Sequence, residues 1–80
     1  MNKQRREKLY EAVTLLYDAR AVIEDVYSEE EESFNSLPES LQYSENGDNM
    51  QEAMDILEEL ADSIDTAACK VERYIKGNEH

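Results

Sequence analysis

Apolar residues recur along this chain in two long runs, each with the spacing of a helix packed against a neighbour. In the first, Leu9, Ala12, Leu16, Ala19, Ile23 and Val26 alternate steps of three and four residues, the seam along which two helices interlock side chains. In the second, Met50, Ala53, Leu57, Leu60, Ile64, Ala67, Val71 and Tyr74 repeat those steps. No glycine or proline interrupts residues 3–32 or 50–76. The pattern predicts a helix over each range, about 40 Å long at 1.5 Å per residue.

Residues 33–49 form the predicted connector. Pro38 follows Ser36 and Leu37, which predicts a short helical turn capped by Ser36 and running through Glu39-Ser40-Leu41-Gln42. Asn46-Gly47 reads as a turn dipeptide. Asp48 and Asn49 are N-cap candidates, and Asn49 with Glu52 resembles a capping box. Gly77, directly after Lys76, signals a helix end and leaves Asn78, Glu79 and His80 to fray.

The expected fold is all-α, an antiparallel helical hairpin forming one domain over residues 1–80. A turn near Leu41 and Gln42 would set Leu9 opposite Tyr74, Ala12 opposite Val71, Leu16 opposite Ala67 and Ala19 opposite Ile64. Further along, Ile23 would face Leu60, Val26 would face Leu57, and Phe34 would lie near Met50. Leu16, Ile23, Leu57, Leu60 and Ile64 then form the central core, each costing about 2–5 kcal/mol when cut to alanine. Tyr74 is expected in the core, Tyr43 as an anchor of the connector, and Cys69 on the outer face of the second helix.

The seam leaves many apolar residues over. Tyr10, Val13, Leu15, Tyr17, Val22 and Tyr27 lie off it on the first helix, as do Met54, Ile56, Ala61, Ala68 and Ile75 on the second. Eighty residues are at the edge of what one core can stabilise, and a lone cysteine permits no internal disulfide. A second apolar surface on so small a chain predicts a homodimer, a coiled-coil-like four-helix bundle with Tyr10, Val13, Tyr17, Met54, Ala61 and Ala68 at its interface. A different partner, or packing of the connector on that surface, are the alternatives.

Charge changes the picture further. The net charge is −12, and all eight lysines and arginines lie either at or before Arg20 or at or after Lys70. Between those two residues stand fifteen carboxylates. This balance argues against direct binding to nucleic acid or an anionic membrane surface and favours a basic protein partner. Glu29, Glu30, Glu31, Glu32, Glu58, Glu59 and Asp62 are the candidate partner-binding residues. As a mimic of a nucleic-acid backbone they would inhibit a protein whose basic channel gains affinity by releasing counterions. The alternative is a structural homo-oligomerisation module whose acids only keep it soluble. Lys3, Arg5 and Arg6 at the start of the first helix and the four glutamates at its end oppose the helix dipole, which a second copy docked head to tail would relieve.

Catalytic chemistry is not legible, and no enzyme is expected. Cys69 has no histidine nearby in sequence to activate it, and His80, on the terminal tail, is the only histidine. No Cys/His set exists for zinc, no Glu-x-x-His pair for a di-metal bundle, and no cofactor motif. Ser44-Glu45-Asn46-Gly47-Asp48-Asn49 is oxygen-rich but lacks the alternating ligands and closing glutamate of a calcium loop. The opening MNKQRREKLY leads into no apolar signal core, and no run of about 18 apolar residues could span a membrane. A cytoplasmic protein is the expectation.

One resemblance rests on the connector. Glu29 to Gln42, with Phe34 and Leu37-Pro38-Glu39-Ser40-Leu41-Gln42 as its most distinctive part, followed by Met50-Gln-Glu-Ala-Met-Asp-Ile-Leu-Glu-Glu-Leu60, resembles small acidic helical proteins of bacteriophages and prophages of Gram-positive bacteria. It covers about residues 20–68. The resemblance implies a phage or mobile-element accessory acting in the host cytoplasm and brings no catalytic residue with it.

Overall fold

Three helices make up the computed structural model, which describes residues 1–79: α1 over Lys3–Asn35, α2 over Glu39–Gln42 and α3 over Glu45–Gly77. The fold is the expected all-α antiparallel hairpin, with α1 and α3 packed side by side and α2 in the connector. Each long helix has 33 residues, about 50 Å at 1.5 Å per residue, and the molecule is a rod with extents of 60 × 14 × 12 Å.

Local chemistry fixes the helix ends. The Asn2 side chain caps α1 by accepting from the Arg5 N–H at 2.8 Å. At the other end Ser36 is the C-cap of α1 rather than the N-cap expected for α2; its hydroxyl donates back to the Glu32 carbonyl at 2.8 Å. Pro38 then stops the helix, because it has no N–H and disfavours helical geometry at Leu37. Gln42 is the clamp of the connector. Its side-chain amide donates to the carbonyls of Phe34 (3.4 Å) and Leu37 (3.3 Å), acceptors that the end of α1 leaves without intrahelical partners.

The second long helix begins five residues earlier than expected. Ser44, not Asp48 or Asn49, is its N-cap, accepting from the Gly47 N–H at 3.3 Å. Asn46-Gly47 is therefore helix rather than turn, and Gly47 does not adopt positive φ. The connector shrinks, and the chain reverses around Tyr43. Tyr43 itself projects outward at 79% exposure instead of anchoring the loop. The α3 helix ends after Gly77, near the expected place, with Asn78 as C-cap. Asn78 and Glu79 are engaged rather than frayed: Asn78 bonds back to the Tyr74 carbonyl and Glu79 accepts from Tyr10. His80, expected to fray with them, lies outside the described residues.

The buried stripe differs from the predicted one. On α1 the seam follows Leu9, Val13, Leu16, Arg20, Ile23 and Tyr27, continuing to Glu30 and Phe34, all buried or half-buried, with Arg6, Ala12 and Tyr17 half-buried beside it. On α3 it follows Met50, Met54, Leu57, Ala61, Ile64, Ala68, Val71 and Ile75, with Gly47 buried under the connector and Ala53, Asp65, Cys69 and Glu72 half-buried beside the seam. Every second member of each predicted seam is replaced by its neighbour, a rotation of roughly 50° for a helix of 3.6 residues per turn. Ala19, Val26, Leu60, Ala67 and Tyr74 are exposed as a result, which removes Leu60 and Tyr74 from the expected core. Cross-helix contacts lie near the expected register: Arg6 reaches the Asn78 carbonyl and Arg20 reaches Asp65, one and two residues from the expected alignment, while the longer reach of Tyr10 and Tyr17 takes them to Glu79 and Glu72, six residues from it.

Close packing concentrates near the chain ends. Val13, Ala68 and Ile75 are buried, with Leu9, Leu16, Tyr17 and Val71 against them. Among the described residues Ile75 is the only large side chain fully out of solvent. At the same end the Arg6 guanidinium donates to the Asn78 carbonyl at 3.2 Å, placing a positive charge on the negative dipole end of α3. A base that is adverse for its own helix thus becomes favourable for the neighbouring one.

Candidate interaction surfaces

The rotated seam gives the rod two unlike edges. One edge is polar and carries the cross-helix contacts. Tyr10 donates to Glu79 at 2.6 Å and Tyr17 to Glu72 at 2.8 Å. Arg20 pairs with Asp65 across the hairpin and with Glu24 one turn on at 3.3 Å, and its guanidinium lies 5.5 Å from the centre of the Tyr17 ring. The acceptor on Glu72 and the surrounding negative charge push the Tyr17 hydroxyl up to about 12, because ionising it would lose that bond and set an anion among anions.

Nearer the connector the same edge has carboxylates and no base. A groove of about 250 Å³ opens between the helices, lined by Glu24, Tyr27, Leu57, Glu58, Ala61 and Asp62. Desolvation, then the charges of Glu31 and Glu58, raise the Tyr27 hydroxyl above its ordinary value. A larger open hollow of about 520 Å³ lies along α3 alone, between Asp55, Glu58, Glu59, Asp62, Ser63 and Thr66. Among the described residues the ion pairs are the two made by Arg20, with Glu24 and Asp65, so apart from Glu24 the carboxylates lining both hollows have no base paired to them within the described chain.

Of the seven acidic residues chosen from sequence, Glu58 and Asp62 line both hollows and Glu59 the larger one. Glu31 joins them through Tyr27. Glu29 and Glu32 are exposed away from both, and Glu30 is half-buried at the seam. Reading charge runs missed Glu24, Asp55 and Tyr27. Heptad spacing was the signal available, since Glu24, Glu31 and Tyr10 share one edge of α1. Also missed was Arg20, which holds the polar edge together.

The six residues assigned from sequence to a dimer interface are placed differently. Val13 and Ala68 are buried inside the hairpin, and Tyr17, Met54 and Ala61 are half-buried along its own seam. Tyr10 is exposed, but its hydroxyl is held by Glu79 of the same chain. The wide apolar arc suggests a second surface, but the hairpin uses Val13, Tyr17, Met54, Ala61 and Ala68 itself. Cys69 is half-buried rather than exposed on the outer face.

The opposite edge carries the apolar surplus. Ala12, Leu15, Ala19, Val22 and Val26 are spaced 3, 4, 3 and 4 along α1, and all but the half-buried Ala12 are exposed, Leu15 at 68% and Val22 at 62%. On α3, Ala53, Ile56, Leu60, Ala67 and Tyr74 follow the same heptad spacing and, apart from half-buried Ala53, are exposed. The two stripes flank the seam on the side away from Tyr10, Tyr17 and Arg20, forming one apolar face.

Among the described residues no three His, Cys, Asp or Glu side chains converge to hold a metal ion, and no helix is long and apolar enough to cross a membrane. Fold and surfaces together define an all-α helical hairpin with one acid-lined edge and one apolar face. No protein-family model matches the chain, and no curated protein or solved structure is found to match it.

Proposed function

We propose that this protein is a non-enzymatic acidic interaction protein whose carboxylate-lined edge binds a basic protein surface. The observation that carries this reading is the groove at Tyr27. There Glu24, Glu58 and Asp62 line a concave site between two helices, in a chain whose ion pairs among the described residues involve Arg20 alone. Glu58 and Asp62 have no base paired to them among the described residues, and like charges held together raise the local potential and steer an oppositely charged partner. A lysine or arginine entering the groove would meet three carboxylates and a tyrosine, the surroundings that favour a bound cation. Inhibition of a nucleic-acid-binding protein by occupying its basic channel is the form of this activity that the charge suits. It also fits the resemblance of residues 20–68 to small acidic phage proteins, whose setting would be the cytoplasm of a host cell.

The test changes Glu24, Glu58 and Asp62 to glutamine together. Helical circular dichroism should persist, because none of the three is paired to a base except Glu24, whose partner Arg20 retains Asp65. Capture of a basic partner from host lysate should be lost, and capture by the unaltered protein should weaken as salt rises, since exposed charges are screened over about 8 Å at physiological ionic strength. Capture that is indifferent to both the triple change and salt would refute the proposal and leave the acids a role in solubility only.

A further inference from the structure

The apolar edge lies opposite the acidic groove and has no use in the reading above. We propose that it seats a second copy of this chain, antiparallel to the first, with the two-fold axis crossing at Ala19 and Ala67. Three observations select that occupant. The first is extent: the apolar stripes run from Ala12 to Val26 on α1 and from Ala53 to Tyr74 on α3, about 20–30 Å at 1.5 Å per residue, a contiguous patch of the kind that marks an interface. The second is the thin core. With Ile75 the only large side chain fully buried among the described residues, a single hairpin holds little apolar surface out of water, and a four-helix bundle would cover the remainder.

The third is the pattern along α1, which is complementary to its own reverse. Continuing the stripe by heptad steps, Lys8 bounds it on one side and Glu29 on the other, both exposed. Lys8 lies eleven residues before Ala19 and Glu29 ten after it. A two-fold axis at Ala19 therefore brings Lys8 of one copy level with Glu29 of the other to within about 1.5 Å along the helix. The same operation sets Leu15 against Val22 and Ala12 against Val26, and on α3 it sets Tyr74 against Leu60. On α1 leucine meets valine and alanine meets valine, on α3 the tyrosine ring packs on a leucine, and alanine at the axis lets the backbones approach. This is the self-complementarity that a two-fold interface requires. A parallel pairing would instead place Lys8 beside Lys8 and Glu29 beside Glu29.

Sedimentation equilibrium across the micromolar range should give a mass near twice 9.3 kDa. The double change Leu15→Lys with Val22→Lys should return a single-chain mass with the helical spectrum kept, because both residues already face outward. Lys8→Glu should weaken the dimer severalfold, and adding Glu29→Lys should restore it. In a Cys69→Ser background, Ala19→Cys should oxidise to a covalent dimer far faster than Asp18→Cys. A folded monomer of the unaltered chain would overturn the proposal, as would a dimer that survives the double lysine change. Equal cross-linking at positions 18 and 19, or charge exchange that fails to restore the dimer, would overturn the antiparallel two-fold geometry.

Discussion

Replacing Gly47 by alanine pits two effects of opposite sign against each other. Gly47 sits in the first turn of α3 with helical backbone and no positive φ. Helix propensity alone therefore favours alanine by about 0.8–1 kcal/mol. Space opposes it. Gly47 is buried under the connector, and an added Cβ would meet the Gln42 carbonyl carbon at 2.6 Å and the Leu41 carbonyl oxygen at 2.8 Å, with the Gln42 oxygen closer still. All three are backbone atoms, so no side chain can swing aside. Relief requires α2 to move away from α3, which disturbs the Gln42 bonds to Phe34 and Leu37 and the Ser44 cap. Overpacking of this kind costs about 1–3 kcal/mol, and a lost cap adds about 1 kcal/mol. The net expectation is destabilisation by about 1–3 kcal/mol, a fall in Tm on the order of 10 °C for a domain of this size. Urea unfolding followed at 222 nm reads it directly. Gly47→Asn separates the two accounts of this residue: asparagine suits a left-handed turn but collides here as alanine does. If either variant matches or exceeds the parent in stability, the close approach of α3 to the connector is wrong.

Ile75→Ala should cost about 2–5 kcal/mol because the side chain is fully buried, whereas Leu41→Ala, at 48% exposure in the connector, should cost well under half of that in the same denaturation assay. The Tyr17 hydroxyl, raised from 10.0 to about 12 by its bond to Glu72, stabilises the fold in its protonated form. That contribution is complete below pH 10 and disappears as pH climbs through about 12, so Tyr17→Phe should remove part of the alkaline loss seen by circular dichroism. Arg20→Gln should cost no more than about 1 kcal/mol, since its ion pairs are part-exposed; the difference from the parent should shrink at high salt, and a difference independent of salt would refute an electrostatic role.

Helix content, the number of long helices and their antiparallel order were legible in the chain, because 3.6-residue periodicity without glycine or proline admits little else. The absence of a base between Arg20 and Lys70 was equally plain. What the one-dimensional pattern could not choose was the phase of the seam. On α1, Leu9, Leu16 and Ile23 belong to either of two stripes, completed by Ala12, Ala19 and Val26 or by Val13, Arg20 and Tyr27. Counting apolar residues favours the first, since the second buries an arginine. On α3 the sets ending in Tyr74 and in Ile75 score alike. Tertiary contact settles the choice. Only the second stripe brings Arg20 to Asp65, Tyr17 to Glu72 and Tyr10 to Glu79, and those partners lie 45 to 69 residues apart in the chain. The extent of the connector escaped for a similar reason. Ser44 and Asp48 are both good caps by composition, and the decision for Ser44 rests on a glycine small enough to pass beneath the Gln42 carbonyl. Periodicity is local and survives in the sequence, whereas the phase of a packed helix is a property of the pair.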